Sequence, residues 1–116
     1  MDNRNNMSVF EIIQWTDVIR PNGFGDAYKL KWLNEIEGLI QTEIMGIDPS
    51  KILQHVTHSS LEYVLVPRPY SRLYALYIIS MIDLANGEYN KYNISSAAFN
   101  DAMRDYAKWY IRSKSR

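Results

Sequence analysis

Leu73-Tyr74-Ala75-Leu76-Tyr77-Ile78-Ile79-Ser80-Met81-Ile82-Asp83-Leu84-Ala85-Asn86-Gly87 is the stretch that decides the fold. Leu73, Tyr74, Tyr77, Ile78, Met81, Ile82, Leu84 and Ala85 leave little of the helix circumference polar, the pattern of a helix surrounded by protein. Asn86-Gly87 breaks it. Beyond the break, Tyr89, Tyr92, Ser96, Phe99, Met103, Tyr106 and Tyr110 recur in alternating steps of three and four, a heptad seam sustained nearly to the last residue. Two helices, one from Tyr70 and one from Glu88, joined by so short a link predict an antiparallel helical hairpin.

Working outward, Ser8-Val9-Phe10-Glu11 is a capping box: the Ser8 hydroxyl accepts from the Glu11 amide, and the Glu11 carboxylate reaches back to the Ser8 amide. A first helix starts there. Val9, Ile12, Ile13, Trp15 and Ile19, joined by Phe10, make one broad side apolar, and Arg20-Pro21 ends the run because proline disfavours helix at the preceding residue. After the turn Asn22-Gly23-Phe24-Gly25, Asp26 is the expected cap of a second helix. Its stripe is Leu30, Leu33, Ile36, Ile40 and Ile44, widened by Trp32 and Leu39. Gly46 stands where a left-handed C-terminal residue is wanted. Gly38 costs that helix about 1 kcal/mol relative to Ala, which points to a neighbouring helix packed close to it.

Residues 47–66 are less regular. Asp48-Pro49-Ser50 starts a short helix through Val56, and Leu61 to Val66 reads as extended; Pro67 and Pro69 then remove two backbone donors. At most a small β hairpin or extended arm fits near 47–66. The predicted fold is mainly α, a compact bundle of about four helices in a single domain over residues 1–116. Residues 1–7 are expected as a disordered tail and 111–116 as a mobile basic tail.

Composition sets limits on function. Apolar residues make up 47% and charged residues 22%, ordinary globular usage that argues against wholesale disorder. The absence of cysteine rules out a disulfide framework, thiolate metal sites and a thiol nucleophile. The polar start has no secretory pattern, and no apolar run approaches the ~18 residues of a membrane helix. Net charge is zero, unlike a dedicated nucleic-acid binder. The charge is nevertheless polarised: residues 1–66 carry five Lys/Arg against nine Asp/Glu, and residues 67–116 carry eight against four. Lys108, Arg112, Lys114 and Arg116 close the chain without an acid among them. Cations at a helix C-terminus complement the helix dipole, and they also make a docking tail for an acidic partner.

Candidate chemistry is sparse. His55 and His58 with Glu62 have a metal-like spacing, but Thr57, Ser59 and Ser60 disfavour a helix there and further ligands are lacking, so no metal or cofactor is expected. Ser59 or Ser60 with His58 and Asp48 makes a hydrolytic triad only on paper, without a glycine-flanked elbow. Glu35 with Glu37, and Asp101 with Asp105, read as solvated helix faces, the latter pair beside Arg104 and Lys108. Gly23-Phe24-Gly25 lacks the third glycine and preceding strand of a phosphate loop. No catalytic residue is assigned and the chain is not expected to be an enzyme. Nine tyrosines and three tryptophans exceed what a core needs, and such rings are enriched at protein interfaces.

Several phrases together resemble a known family: Lys29-Leu30-Lys31-Trp32-Leu33-Asn34-Glu35-Ile36-Glu37-Gly38, Leu65-Val66-Pro67-Arg68-Pro69-Tyr70, Met81-Ile82-Asp83, Asn86-Gly87-Glu88-Tyr89-Asn90-Lys91-Tyr92-Asn93, Ala98-Phe99-Asn100 and Tyr106-Ala107-Lys108-Trp109-Tyr110. Over residues 8–46 and 64–112 the chain is similar to the head-to-tail connectors, or head-completion adaptors, of long-tailed phages and prophages of Gram-positive bacteria. It departs from them at Ser71-Arg72, where acidic residues follow the Pro-Tyr, and over 47–63. The resemblance implies a helical structural protein of the virion, assembled in the host cytoplasm. Such a protein docks on the portal as a homo-oligomeric ring, is monomeric when free, and bridges to the next connector or tail protein. The rival reading is a small nucleic-acid-binding or regulatory protein using the basic C-terminal helix.

Overall fold

A computed structural model describes residues 6–52 and 62–114 of the chain. The main elements run β1 (Asn6–Ser8), α1 (Val9–Ile19), α2 (Asp26–Leu39), β2 (Tyr63–Pro67), α3 (Arg72–Ala85) and α4 (Tyr89–Lys114). The fold is mainly α, with α4 packed back along α3 as an antiparallel hairpin. α3 is buried nearly all round, as its sequence demands: Leu73, Tyr74, Ile78 and Ile82 are almost inaccessible to solvent. Each such aliphatic side chain contributes about 1.5–3 kcal/mol by leaving water.

The link between the two helices follows from Asn86-Gly87. Asn86 caps α3, and Gly87 takes φ +70°, a left-handed conformation that glycine enters without a Cβ penalty. Glu88 N then donates to Asp83 O at 2.9 Å and Gly87 N to Leu84 O at 3.0 Å, which satisfies the last carbonyls of α3. At the other end α3 begins at Arg72, not at Tyr70. Residues 67–70 form a turn closed by Tyr70 N donating to Pro67 O at 2.9 Å, with a cis peptide between Arg68 and Pro69.

α4 meets α3 in a register that the heptad only half anticipates. Tyr92, Phe99 and Tyr106 lie on the seam and Met103 and Tyr110 pack at its edge beside Trp109, but Ser95 and Ala102 are more deeply buried than Ser96 and Met103, and Tyr89 is exposed. Ser95, Ala102 and Tyr106 are the buried residues of the helix. The small side chains Ser95 and Ala102 face α3 because α3 already fills that space with bulky ones.

α1 starts with its capping box formed: Ser8 Oγ accepts from Glu11 N at 3.1 Å and Glu11 Oε1 from Ser8 N at 3.0 Å. In α2, Asp26 is the first helical residue and not the cap, which is Gly25. Leu30, Leu33, Ile36 and Ile40 line the core as the stripe predicts, while Ile44 is only half-buried. The helix widens into a π turn over Ile40–Ile44 and stops at Gly46, φ +70°. Among the described residues no neighbouring helix crowds Gly38; the Ile52 side chain covers it at 3.8 Å. Of the short helix expected from Asp48 to Val56, a 3-10 turn at Pro49–Lys51 is seen, and the part beyond residue 52 lies outside the described residues.

The extended segment exists, but its partner is not local. β2 turns Val64 and Val66 inward and pairs antiparallel with β1, Asn6 opposite Pro67 and Ser8 opposite Tyr63 with a register shift between them. Asn6 Nδ2 donates to Val64 O at 2.7 Å and Val9 N to Glu62 O at 2.8 Å. The end of the segment expected as a disordered tail, Asn6 and Met7, is therefore strand. Met7 packs on the core and the strand satisfies the edge that β2's inward valines leave open.

Candidate interaction surface

The polar groups inside the scaffold hold elements together. Glu37 reads in sequence as part of a solvated helix face, yet it is 1% exposed. It accepts from Leu65 N at 2.9 Å and from the Tyr74 hydroxyl, and Val66 N donates to the same Tyr74 oxygen at 3.0 Å. One carboxylate thus joins α2, β2 and α3. Burial, with the nearby Glu37 charge, pushes the Tyr74 phenol well above its usual range. Glu35 accepts from Tyr77, whose phenol is raised by burial and by that hydrogen bond.

A second buried carboxylate, Asp83, ties α1, α3 and α4. Arg20 Nη2 donates to its Oδ2 at 3.1 Å and Ser95 Oγ to the same oxygen at 2.9 Å. Arg20 Nε sits 3.0 Å from Oδ1, near enough for charge attraction although angled off a hydrogen-bond line. Lys29, also buried, reaches Asp17 Oδ1 at 2.6 Å, so in this pair the cation lies inside and the anion outside.

Outside, α1 carries more apolar surface than the core uses. Only Val9, Ile12 and Thr16 of this helix are buried, a narrow stripe at steps of three and four. Phe10, Trp15, Val18 and Ile19 are exposed, correcting the expectation that one broad apolar side faces the core. Trp15 stands between two shallow depressions. One, about 420 Å³, lies between α1, α3 and α4 and includes Ile19, Leu76 and Ala98 between Arg72 and Asp101. The other, about 570 Å³, lies on the outer side of α1 and includes Met7, Glu11, Asp17 and Val18. The signal for this surface was in the sequence: an apolar arc wider than one helix of a small bundle can bury.

The end of α4 is the second exposed region. At ~1.5 Å per residue α4 is about 39 Å long and α3 about 21 Å, so α4 runs well past the start of α3. Beyond that point it packs through rings: Tyr70 meets Tyr106 at 5.9 Å and Trp109 at 5.6 Å, and Tyr106 meets Trp109 at 5.8 Å between centroids. Burial, then the neighbouring Tyr110, raises the Tyr106 phenol. The last turns are helical through Lys114, where a mobile tail from residue 111 was expected. Of the residues assigned from sequence to partner binding, Lys108, Arg112 and Lys114 are exposed and Arg116 lies outside the described residues. Lys108 and Arg112 make no ion pair among the described residues, while Lys114 Nζ lies 5.2 Å from the Tyr110 ring centre. Beside Lys108 stands Ile111, 64% exposed.

Comparison with protein-family models, curated proteins and solved structures found no match. What these surfaces do has to be argued from their own residues. His55 and His58, with Ser59 and Ser60, lie outside the described residues, and Glu62 uses its backbone carbonyl to hold Val9 N. Asp48 caps the Ser50 amide, which holds its carboxyl below the usual range. Asp101 pairs with Arg104 at 3.1 Å in solvent, as its spacing predicts. Gly25 and Asp26 serve the start of α2, and Phe24 packs edge-on to Trp32 at 5.4 Å. Among the described residues no three His, Cys, Asp or Glu side chains gather as a metal site, and no helix is long and apolar enough to cross a membrane.

Proposed function

We propose that this chain is a head-to-tail connector, or head-completion adaptor, of a long-tailed phage or prophage of Gram-positive bacteria. In this reading it is a structural virion protein that docks on the portal as a homo-oligomeric ring and presents a platform to the next connector or tail protein. The observation that carries the reading is the pairing of a rigid scaffold with two chemically different outer regions: an apolar and acidic face on α1, and a basic end on α4. A ring subunit needs two such unlike patches, since each copy offers one surface to one neighbour and another to the next. The resembling phrases also fall on the joints of the fold. Residues 67–70 shape the turn into α3, and Asn86-Gly87-Glu88 closes the hairpin.

The test is to mix purified chain with the portal protein of the same phage or prophage and image the complex by electron microscopy. An added ring of density on the portal is expected, and a bare portal at saturating protein refutes the proposal. Deleting residues 111–116 is expected to abolish the ring while leaving the helical circular dichroism of the chain intact. Salt-dependent DNA binding by the free chain in a gel shift, with no ring on the portal, instead selects the nucleic-acid reading that Lys108 and Arg112 also permit.

A further inference from the structure

Three features reach beyond the core: the apolar depression bounded by Arg72 and Asp101, the exposed Tyr28 beside the core-packed rings of Phe24 and Trp32, and the pair formed by the α4 end and the outer face of α1. Only the last two-sided feature names its own occupant. We infer that the end of α4 in one copy seats on the outer face of α1 in the next copy, with Lys108, Ile111 and Arg112 against Glu11, Trp15 and Val18. The inference rests on the ring proposed above and assigns its subunit contact.

Charge and pattern both support the match. Lys108, Ile111 and Arg112 are spaced i, i+3, i+4, so Lys108 has the apolar Ile111 on one side and the cation Arg112 on the other. On α1, Glu11, Trp15 and Val18 are spaced i, i+4, i+7, again one face, with an acid beside exposed apolar groups. Asp17, paired with Lys29 at 2.6 Å, keeps 42% of its side-chain surface exposed and so can accept a further donor on that side. Glu11 shares its charge with Arg68 at 2.8 Å, both partly exposed, so the incoming cations compete with an ion pair worth little in water. The contact is heterologous: the two patches differ and lie on different helices, so copies add head to tail and close into a ring when the rotation allows. Neither patch is large. A handful of side chains on each side makes a transient contact between free copies, and a template such as the portal strengthens it by raising the local concentration.

The absence of cysteine makes the contact directly testable. Val18→Cys and Ile111→Cys each change an exposed side chain, 78% and 64% accessible, and leave the core alone. Mixed under mild oxidation, the two variants are expected to form the disulfide between positions 18 and 111 about tenfold faster than Val18→Cys mixed with Ile94→Cys, a control equally exposed elsewhere on α4. Added salt, or Arg112→Glu in the Ile111→Cys chain, is expected to remove that advantage. Equal rates for both pairs, or faster linking of Val18→Cys to itself, overturns the inference. Imaging with the portal separates this failure from that of the functional reading. Rings formed equally by the unmodified chain and by Val18→Lys overturn the contact and leave the connector standing. A fast, salt-sensitive cross-link without any ring on the portal supports the contact and removes the connector.

Discussion

At its turn end the α3–α4 hairpin is held by a buried charge, and at its open end by a stack of rings. Near the turn, Asp83 takes Arg20 from α1 and Ser95 from α4, three groups whose distances and angles must all fit. At the other end Tyr70, Tyr106 and Trp109 lie within 6 Å of one another and Tyr110 stands 6.1 Å from Tyr106, an arrangement that tolerates small shifts. The difference follows from connectivity. Across the short link at Asn86-Gly87 Ser95 lies only 12 residues from Asp83, so that hydrogen bond costs little loop entropy, while Arg20 is brought in from 63 residues away by the packing of α1. Across the open end no covalent link helps, and non-directional burial of large rings is the more forgiving way to close it. The turn end therefore sets register, and the open end leaves surface over for other molecules.

Breaking the turn end is expected to have the largest effect. Asp83→Ala strands Arg20 against the core and is expected to destabilise the chain by about 3–5 kcal/mol in urea titration. A loss below about 1 kcal/mol would show that the ion pair only decorates the hairpin. Replacing both partners, Arg20→Met with Asp83→Leu, is expected to recover most of the loss, because no buried charge remains unmatched. At the open end Trp109→Ala is expected to cost about 2 kcal/mol, less than a fully buried tryptophan because this ring is only partly covered.

The two ends also differ in their response to alkali. The Tyr106 phenol at the open end is raised above its ordinary value, so its contribution is complete below the unfolded tyrosine value of ~10 and is lost as pH climbs through the higher folded one. Ultraviolet titration is expected to show Tyr74, Tyr77 and Tyr106 ionising above the ordinary tyrosine range, with Tyr106→Phe removing one late step. Ionisation of Tyr106 within the ordinary range would mean that the open end is not packed as described. The smallest effect belongs to the tip itself. Ile111→Glu is expected to shift stability by less than about 0.5 kcal/mol, which separates the scaffold from the surface it carries.

Much of this scaffold is legible in local sequence. The Ser8 capping box, the Leu30-to-Ile40 stripe, the left-handed Gly46 and Gly87, and the hairpin are all nearest-neighbour effects, and they form as their residues require. What escapes the sequence depends on partners distant along the chain. Nothing in Asn6-Met7-Ser8 announces a strand; the pairing exists because β2 lies beside it. Glu37 looks like a surface acid until Tyr74 and Leu65 reach it from two other elements. The α4 heptad identifies a face but not which of two adjacent rows is inside, since that choice depends on the bulk already supplied by α3. The basic end is visible as a cluster of charges and the α1 surface as a broad apolar side, but which part of that side stays outside depends on how much of it α3 covers.

The two-stranded ribbon has a kinetic consequence. Asn6 and Val64 are 58 residues apart, whereas Ser95 and Asp83 are separated by 12, so closing the ribbon first spans a little over two doublings of loop length and costs roughly 1.4 kcal/mol more. The chain therefore gains by zipping α3 and α4 together early and capturing its N-terminal strand late. In reverse, β1 is the strand expected to open first, since Asn6 and Met7 are only half-buried, while β2 stays held by its buried valines and by Glu37 and Tyr74.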